Sequence, residues 1–285
     1  MDKHLGTMQV DRRRFLTSAV AGTAVARLFA HAEATTLRAI AIDHVSYESP
    51  DYRKTRDFYV DVFGFQVSEE DDRQLYLWAG EALLSAKNTP AAKTPSVDHF
   101  GVTVDPWDPD AVTTALQTRN LVVRFSRGDP HDPQNRSAFT RDANGFSLQF
   151  EPKDLAAKPS PVPSRAALKP VGLNHISYRC PDYRRTRDFY RDLFGTPVTN
   201  DDGQQAYLWF GDVFMVVSNR TDREPTPVID RVGWTLADWD PNRVSAVLRQ
   251  HGLDVQPGAR GKSVVTKDLN GYSVEFCSRD LATKR

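Results

Sequence analysis

Residues 42–64 read IDHVSYESPDYRKTRDFYVDVFG, and residues 173–195 read LNHISYRCPDYRRTRDFYRDLFG, an ungapped match at a constant offset of 131. A match this long marks duplication of a whole structural unit. Each copy opens on a β-branched run with strand alternation, and each run holds a histidine, His44 or His175. In the first copy Ser49-Pro50-Asp51 supplies a turn and a helix start. Tyr52, Thr55, Phe58, Tyr59, Val62 and Phe63 then recur at three- and four-residue spacing until Gly64 stops the helix. Short strands at 65–68, 74–78 and 82–86 follow, so the unit is strand, helix and three strands.

A second unit of the same order opens at Ser96-Val97-Asp98-His99-Phe100-Gly101, after a linker at 88–95. Its helix is expected near 109–118. Its strands are expected near 122–126, 137–141 and 146–151, the last after the turn Asp142-Ala143-Asn144-Gly145. A Pro- and Ala-rich linker spans 156–170, and residues 171–285 repeat both units, the fourth opening at Val228-Ile229-Asp230-Arg231 and closing after Asp268-Leu269-Asn270-Gly271. The expected fold class is α+β, with four βαβββ modules in two tandem domains, residues 39–155 and 171–285.

With 285 residues, 40% apolar and 26% charged, and 37 basic against 37 acidic side chains, the chain is a two-domain globular protein with no bias toward polyanions. Nucleic acid is excluded as a natural partner. Two cysteines, Cys180 and Cys277, are too few for a disulfide framework or a thiolate zinc site. They are either two small apolar side chains or one bridge.

The first 34 residues stand apart. Asp11-Arg12-Arg13-Arg14-Phe15-Leu16, a weakly apolar run from Thr17 to Ala26, and Ala32-Glu33-Ala34 resemble a twin-arginine export signal with a cleavage site. The expectation is export to the periplasm or the cell exterior, with a mildly acidic mature chain. No other stretch is long and apolar enough to span a bilayer.

The paired βαβββ modules, the opening Asp-His or Asn-His strand, the helix ending Phe-Tyr-x-Asp-x-Phe-Gly and the closing Asp-x-Asn-Gly turn together resemble the vicinal oxygen chelate superfamily. That group includes glyoxalases, bleomycin resistance proteins and extradiol dioxygenases. The resemblance covers about residues 39–285 and implies two open-barrel, glyoxalase-like domains. It also implies a divalent metal (Fe, Mn, Zn or Ni) inside a barrel, on His, Glu or Gln ligands from the first and last strands of the modules.

Carried onto this chain, the resemblance places metal ligands at His44 and His99. The carboxylate it expects four residues after the closing glycine falls on Gln149, a departure from the pattern. Period-two geometry sets Glu151 on the same face one pleat further on, so either Gln149 or Glu151 completes the set. The second pair keeps His175 and Glu275 but has Arg231 where the middle histidine belongs. A guanidinium has no lone pair for a cation, so Arg231 is expected to pair with Glu275 in a cup without metal. His131, in the loop Asp129-Pro130-His131-Asp132-Pro133, is either a solvated turn residue or an acid/base group.

Two functions follow as expectations. One is an exported metal-dependent dioxygenase, lyase or isomerase acting on a small oxygen-rich or aromatic substrate in the N-terminal cup. The other is a small-molecule binding protein of the resistance type with degenerate metal sites. A homodimer through the remaining cup stays open.

Overall fold

The computed structural model describes residues 36–126, 136–153, 157–160, 163–222 and 224–284. The export signal and His131 lie outside the described residues.

Module one comprises β1 (Ala39–Ser49), α1 (Tyr52–Asp57), β2 (Gln66–Glu70), β3 (Gln74–Ala79) and β4 (Ala82–Asn88). Module two comprises β5 (Ser96–Val104), α2 (Pro109–Gln117), β6 (Arg124–Phe125), β7 (Ala138–Arg141) and β8 (Ser147–Glu151). The second half repeats this as β9 (Pro170–Cys180), α3 (Tyr183–Phe194), β10 (Val198–Thr199), β11 (Gln205–Phe210) and β12 (Val213–Asn219). Its last module is β13 (Val228–Leu236), α4 (Pro241–Gln250), β14 (Gln256–Pro257), β15 (Ser263–Lys267) and β16 (Ser273–Cys277). Each half is one eight-stranded mixed sheet, in the orders β2-β3-β4-β1-β5-β8-β7-β6 and β10-β11-β12-β9-β13-β16-β15-β14. The opening strands of the paired modules lie side by side and antiparallel at the centre, which brings their histidine positions together.

The helices obey their end signals. The Asp51 carboxylate accepts from the Arg53 amide and that of Asp182 from the Arg184 and Arg185 amides, and Gly64 and Gly195 end the repeat helices at φ +69° and +63°. The two copies still differ. The second is a regular 12-residue α-helix, whereas the first passes into a π turn over Phe58–Val62. There β-branched Val60 and Val62 replace Arg191 and Leu193 and crowd the preceding turn. The strand expected at 122–126 shrinks to the two residues of β6, and the first strand of the second half starts at Pro170, inside the expected linker. Trp78 and Trp209 are buried, with indole N–H groups donated to Ser68 and Thr199 at 3.0 and 2.9 Å. Cys180 and Cys277 are both free thiols and buried.

The repeat helices pack on the sheets of their own halves and also reach across to the other half. Phe63, at the end of the first, stacks on Phe276 of β16 at 4.0 Å, and Tyr59 and Phe65 meet Trp234 of β13. Reciprocally, Tyr190 and Phe194 of α3 meet Phe100 of β5 and Phe150 of β8. These aromatics are among the largest buried side chains, so one continuous apolar core serves both sheets.

The closing turns lock this exchange. Asp268 accepts from Tyr47 at 2.7 Å, and Asn270 donates to Ser49, Asp51 and Thr55 of the first half. Asp142 accepts from Tyr178 and Tyr190, and Asn144 donates to Thr186 of the second half. Burial, with the facing carboxylates, pushes Tyr47, Tyr178 and Tyr190 upward, so their hydroxyls stay protonated as donors.

Candidate metal centre

The site of the first half is built on three adjacent rows of its sheet. The middle row runs Leu83, His44, Gly101 and Gln149. One pleat to one side lie Ser46, His99 and Ser147; one pleat to the other lie Thr103 and Glu151. His44 therefore stands between His99 and Glu151. Its ring lies across Gly101, where a Cβ would come within 2.0 Å of the imidazole, so this position needs glycine.

Period two would turn Asp43 away from His44. The pairing register with β5 slips between Ile42 and His44, leaving Asp43 as the extra residue of a bulge. The bulge turns its carboxylate to within 3.6 Å of His44 Nδ1, on the side where Glu151 Oε1 approaches to 3.3 Å. Donor atoms of Asp43, His44 and Glu151 all lie within 4.8 Å of one another. The same device recurs three times: the register slips at Asp98 before His99, at Asn174 before His175 and at Asp230 before Arg231.

Of the four residues expected as ligands, His44 and Glu151 thus come together with Asp43, which the sequence reading missed. The available signal was the acidic or amide residue preceding every module-opening site residue. His99 lies next to the group, its ring centroid 5.4 Å from that of His44. Its Nδ1 is 3.1 Å from the Asp98 carboxylate, which Lys87 also holds at 2.6 Å. Burial, with the nearby His44, pushes His99 downward, so it is a neutral imidazole with Nδ1–H on Asp98 and a lone pair at Nε2. Gln149 donates its amide to Ser137 at 2.9 Å and to Glu151 at 2.7 Å, and so fixes the carboxylate's orientation.

The electrostatics suit a cation. Burial, with Asp43 beside it, pushes the Glu151 carboxyl upward, while burial of Asp43 is outweighed by Glu151 and His44, which hold it below the usual carboxylate range. His44 is raised despite full burial, because Glu151 and Asp43 face its Nδ1. A proton is thus held among two carboxylates and an imidazole where a cation would take its place. His44 Nδ1 and Asp43 Oδ1 are buried without a hydrogen-bond partner, a costly state that an ion at this point relieves. One histidine and two carboxylates, with His99 adjacent, fit a first-row divalent ion. Asp43 and Glu151 also line a cavity of about 380 Å3 walled by Ile40, Trp78, Leu83 and Thr103.

The second cup holds its groups differently. His175 and Glu275 share one row with Gly233, and Arg231 lies one pleat away. Arg231 Nη1 donates to Glu275 Oε2 at 2.8 Å, and His175 Nε2 lies 3.4 Å from the same oxygen. Asn174 Oδ1 meets His175 Nδ1 at 2.9 Å, and Cys277 takes the strand position held by Glu151 in the first half. Burial would raise Glu275, but His175 and Arg231 hold it down at about 2. Among the described residues the only cluster of metal-ligand type is the one in the first half.

Comparison with known proteins supports the same architecture. A sequence profile of the Glyoxalase/Bleomycin resistance protein/Dioxygenase superfamily matches residues 41–150. The chain is 21% identical over 118 residues to the metallothiol transferase FosB of Staphylococcus epidermidis, a match covering 39% of this chain and 85% of that one. The Mn(II)-bound glyoxalase from Novosphingobium aromaticivorans superposes with a TM-score of 0.70 at 18% identity, covering 85% of this chain and 83% of that one. A variant of homoprotocatechuate 2,3-dioxygenase from B. fuscum gives a TM-score of 0.67 at 19% identity, covering 85% and 72%. At such identities the structural likenesses establish the fold. The chain therefore carries a Glyoxalase/Bleomycin resistance protein/Dioxygenase superfamily domain in its first half and repeats that fold, as a second tandem domain, in its second.

Proposed function

We propose that the N-terminal domain is a metal-dependent catalytic unit, a dioxygenase, lyase or isomerase, acting on a small oxygen-rich or aromatic substrate. The observation that carries this reading is the buried group of Asp43, His44 and Glu151, whose donor atoms lie within 4.8 Å of one another while His44 Nδ1 and Asp43 Oδ1 make no hydrogen bond. Asp43, His44 and Glu151 would hold the ion, with His99 beside them. Such an ion supplies Lewis acidity toward neighbouring substrate oxygens, or a site for oxygen if it is iron. Gln149 holds Glu151 in place, Asp98 keeps the His99 lone pair at Nε2, and Ile40, Trp78 and Leu83 give the cavity apolar walls against which a small ligand would pack.

On this reading the protein leaves the cytoplasm by the twin-arginine route and works in the periplasm or outside the cell. No helix among the described residues is long and apolar enough to cross a membrane. N-terminal sequencing of the secreted form tests the route.

Metal analysis tests the chemistry. Purified protein is loaded with Mn, Fe, Zn or Ni and assayed on catechols by the absorbance of ring opening, and on enolisable oxygen-rich carbonyls by solvent deuterium exchange. One ion per chain, lost in His44→Ala together with turnover, supports the reading. Absence of any metal binding at micromolar strength sinks it. A specific departure favours a second reading, sequestration without turnover: Gln149 stands in the row where a carboxylate was expected. Tight ligand binding with no turnover under every metal would select it.

A further inference from the structure

The second domain keeps an open cup although its metal-ligand set is broken. The cavity measures about 260 Å3, and His175, Gln205, Tyr207, Phe214, Arg231 and Arg260 are among its walls. Three guanidiniums, those of Arg179, Arg231 and Arg260, face it against two carboxylates, Asp230 and Glu275. Two of the three are anchored: Arg179 pairs with Asp230 at 3.2 Å, and Arg231 gives one N–H to Glu275 at 2.8 Å.

Anchoring leaves capacity to spare. A guanidinium carries five N–H donors in a rigid fork, and a single bond to Glu275 fixes the orientation of Arg231 while leaving most of them unused. Arg260 is exposed on the short turn Ala259–Gly261 at the cup and forms no ion pair among the described residues. The cup thus carries an uncompensated positive charge. Along one wall Tyr207, Phe214 and His175 form a ladder of near-parallel rings, with centroids 5.1 and 5.0 Å apart and interplanar angles of 17° and 19°. Tyr207, at one end of the ladder, is half-buried and lines the cavity, whereas Phe214 is 2% exposed.

We propose that this cup is a receptor for a small planar carboxylate, whose two oxygens are taken by Arg231 and Arg260 and whose unsaturated body lies against Tyr207. The planar fork of a guanidinium matches the geometry of a carboxylate, and a flat conjugated acid matches the flat wall. A fixed organic cation stands at the strand position that His99 occupies in the first domain. The cup selects an oxygen pair by charge-assisted hydrogen bonds and needs no metal. Its volume restricts the ligand to about one ring or an equivalent conjugated acid.

Isothermal titration of the full chain with benzoate, benzamide, acetate and inorganic phosphate tests this. Benzoate is expected to bind more tightly than each of the other three. Arg260→Ala is expected to weaken it about tenfold, the value of one charge-assisted hydrogen bond, with an unchanged melting temperature because Arg260 is exposed. His44→Ala and His99→Ala are expected to leave benzoate binding intact. No saturable binding of benzoate, equal binding of benzamide, acetate or phosphate, full affinity in Arg260→Ala, or loss in His44→Ala each overturns the proposal.

Discussion

The two cups are built on the same strands and differ by one pleat. In the first, the carboxylate of the last strand is Glu151, beside Thr103, and it approaches Nδ1 of His44. In the second it is Glu275, in the row of His175 itself, and it approaches Nε2. That two-residue displacement changes what the acid meets. Glu151 finds the imidazole of His44 and a second carboxylate, Asp43, whereas Glu275 finds His175 and the guanidinium of Arg231. Two buried carboxylates sharing one imidazole carry surplus negative charge that a divalent ion would neutralise, while a carboxylate with a guanidinium is already neutralised.

The largest expected effect separates the cups by metal content. Glu151→Gln should weaken binding of a divalent ion about 100-fold or more, at the top of the range for altering groups around a metal, while Glu275→Gln leaves ion stoichiometry unchanged. Metal analysis after dialysis reads both, and equal loss in the two variants would erase the distinction between the cups.

Next in size, Arg231→Ala should destabilise the fold by roughly 2 kcal/mol, seen in urea melts. The buried Glu275 loses its partner, but Arg231 is about one-third exposed, so the cost falls below the ~3–5 kcal/mol of fully buried pairs. Arg231→Ala combined with Glu275→Gln should recover much of it, because the stranded charge is gone.

Acid sharpens the same contrast. Glu275 is held at about 2, below its ordinary 4.5, so its contribution to stability is complete above about pH 4.5 and is lost as pH falls toward 2. Wild type should therefore lose stability between those values more steeply than Glu275→Gln, as followed by melting temperature against pH. Parallel curves would remove Glu275 as the source.

The smallest expected effects are at the clasp, where each half donates a strand tyrosine to the closing-turn aspartate of the other. Tyr47→Phe and Tyr178→Phe each remove one buried hydroxyl donated to an aspartate of the other half, and each should cost about 1–2 kcal/mol. Similar values would confirm that the scaffold kept its symmetry while the cups lost theirs. A large inequality would show that one half depends on the other.

Much of this was legible in the chain. The period-two runs set β1, β5, β9 and β13, and the 131-residue offset aligned His44 with His175. Glu151 was readable as a neighbour of Gln149 on one face because strand alternation is local. Asp43 was not, since alternation turns it away and only a register slip against β5 brings it inward. The Asp-x-Asn-Gly turns read as local punctuation. Their side chains also bind the opposite half, a contact spanning 221 residues for Tyr47 and Asp268.

By itself, then, the sequence determined four βαβββ modules, their pairing and the row in which each histidine stands, because these follow from periodicity and repetition along the chain. Tertiary structure alone decided that Asp43 joins His44 and Glu151, and that each half is locked by the closing turn of the other. Bulges and cross-domain contacts depend on what lies beside a strand in space, and no spacing along one chain encodes that.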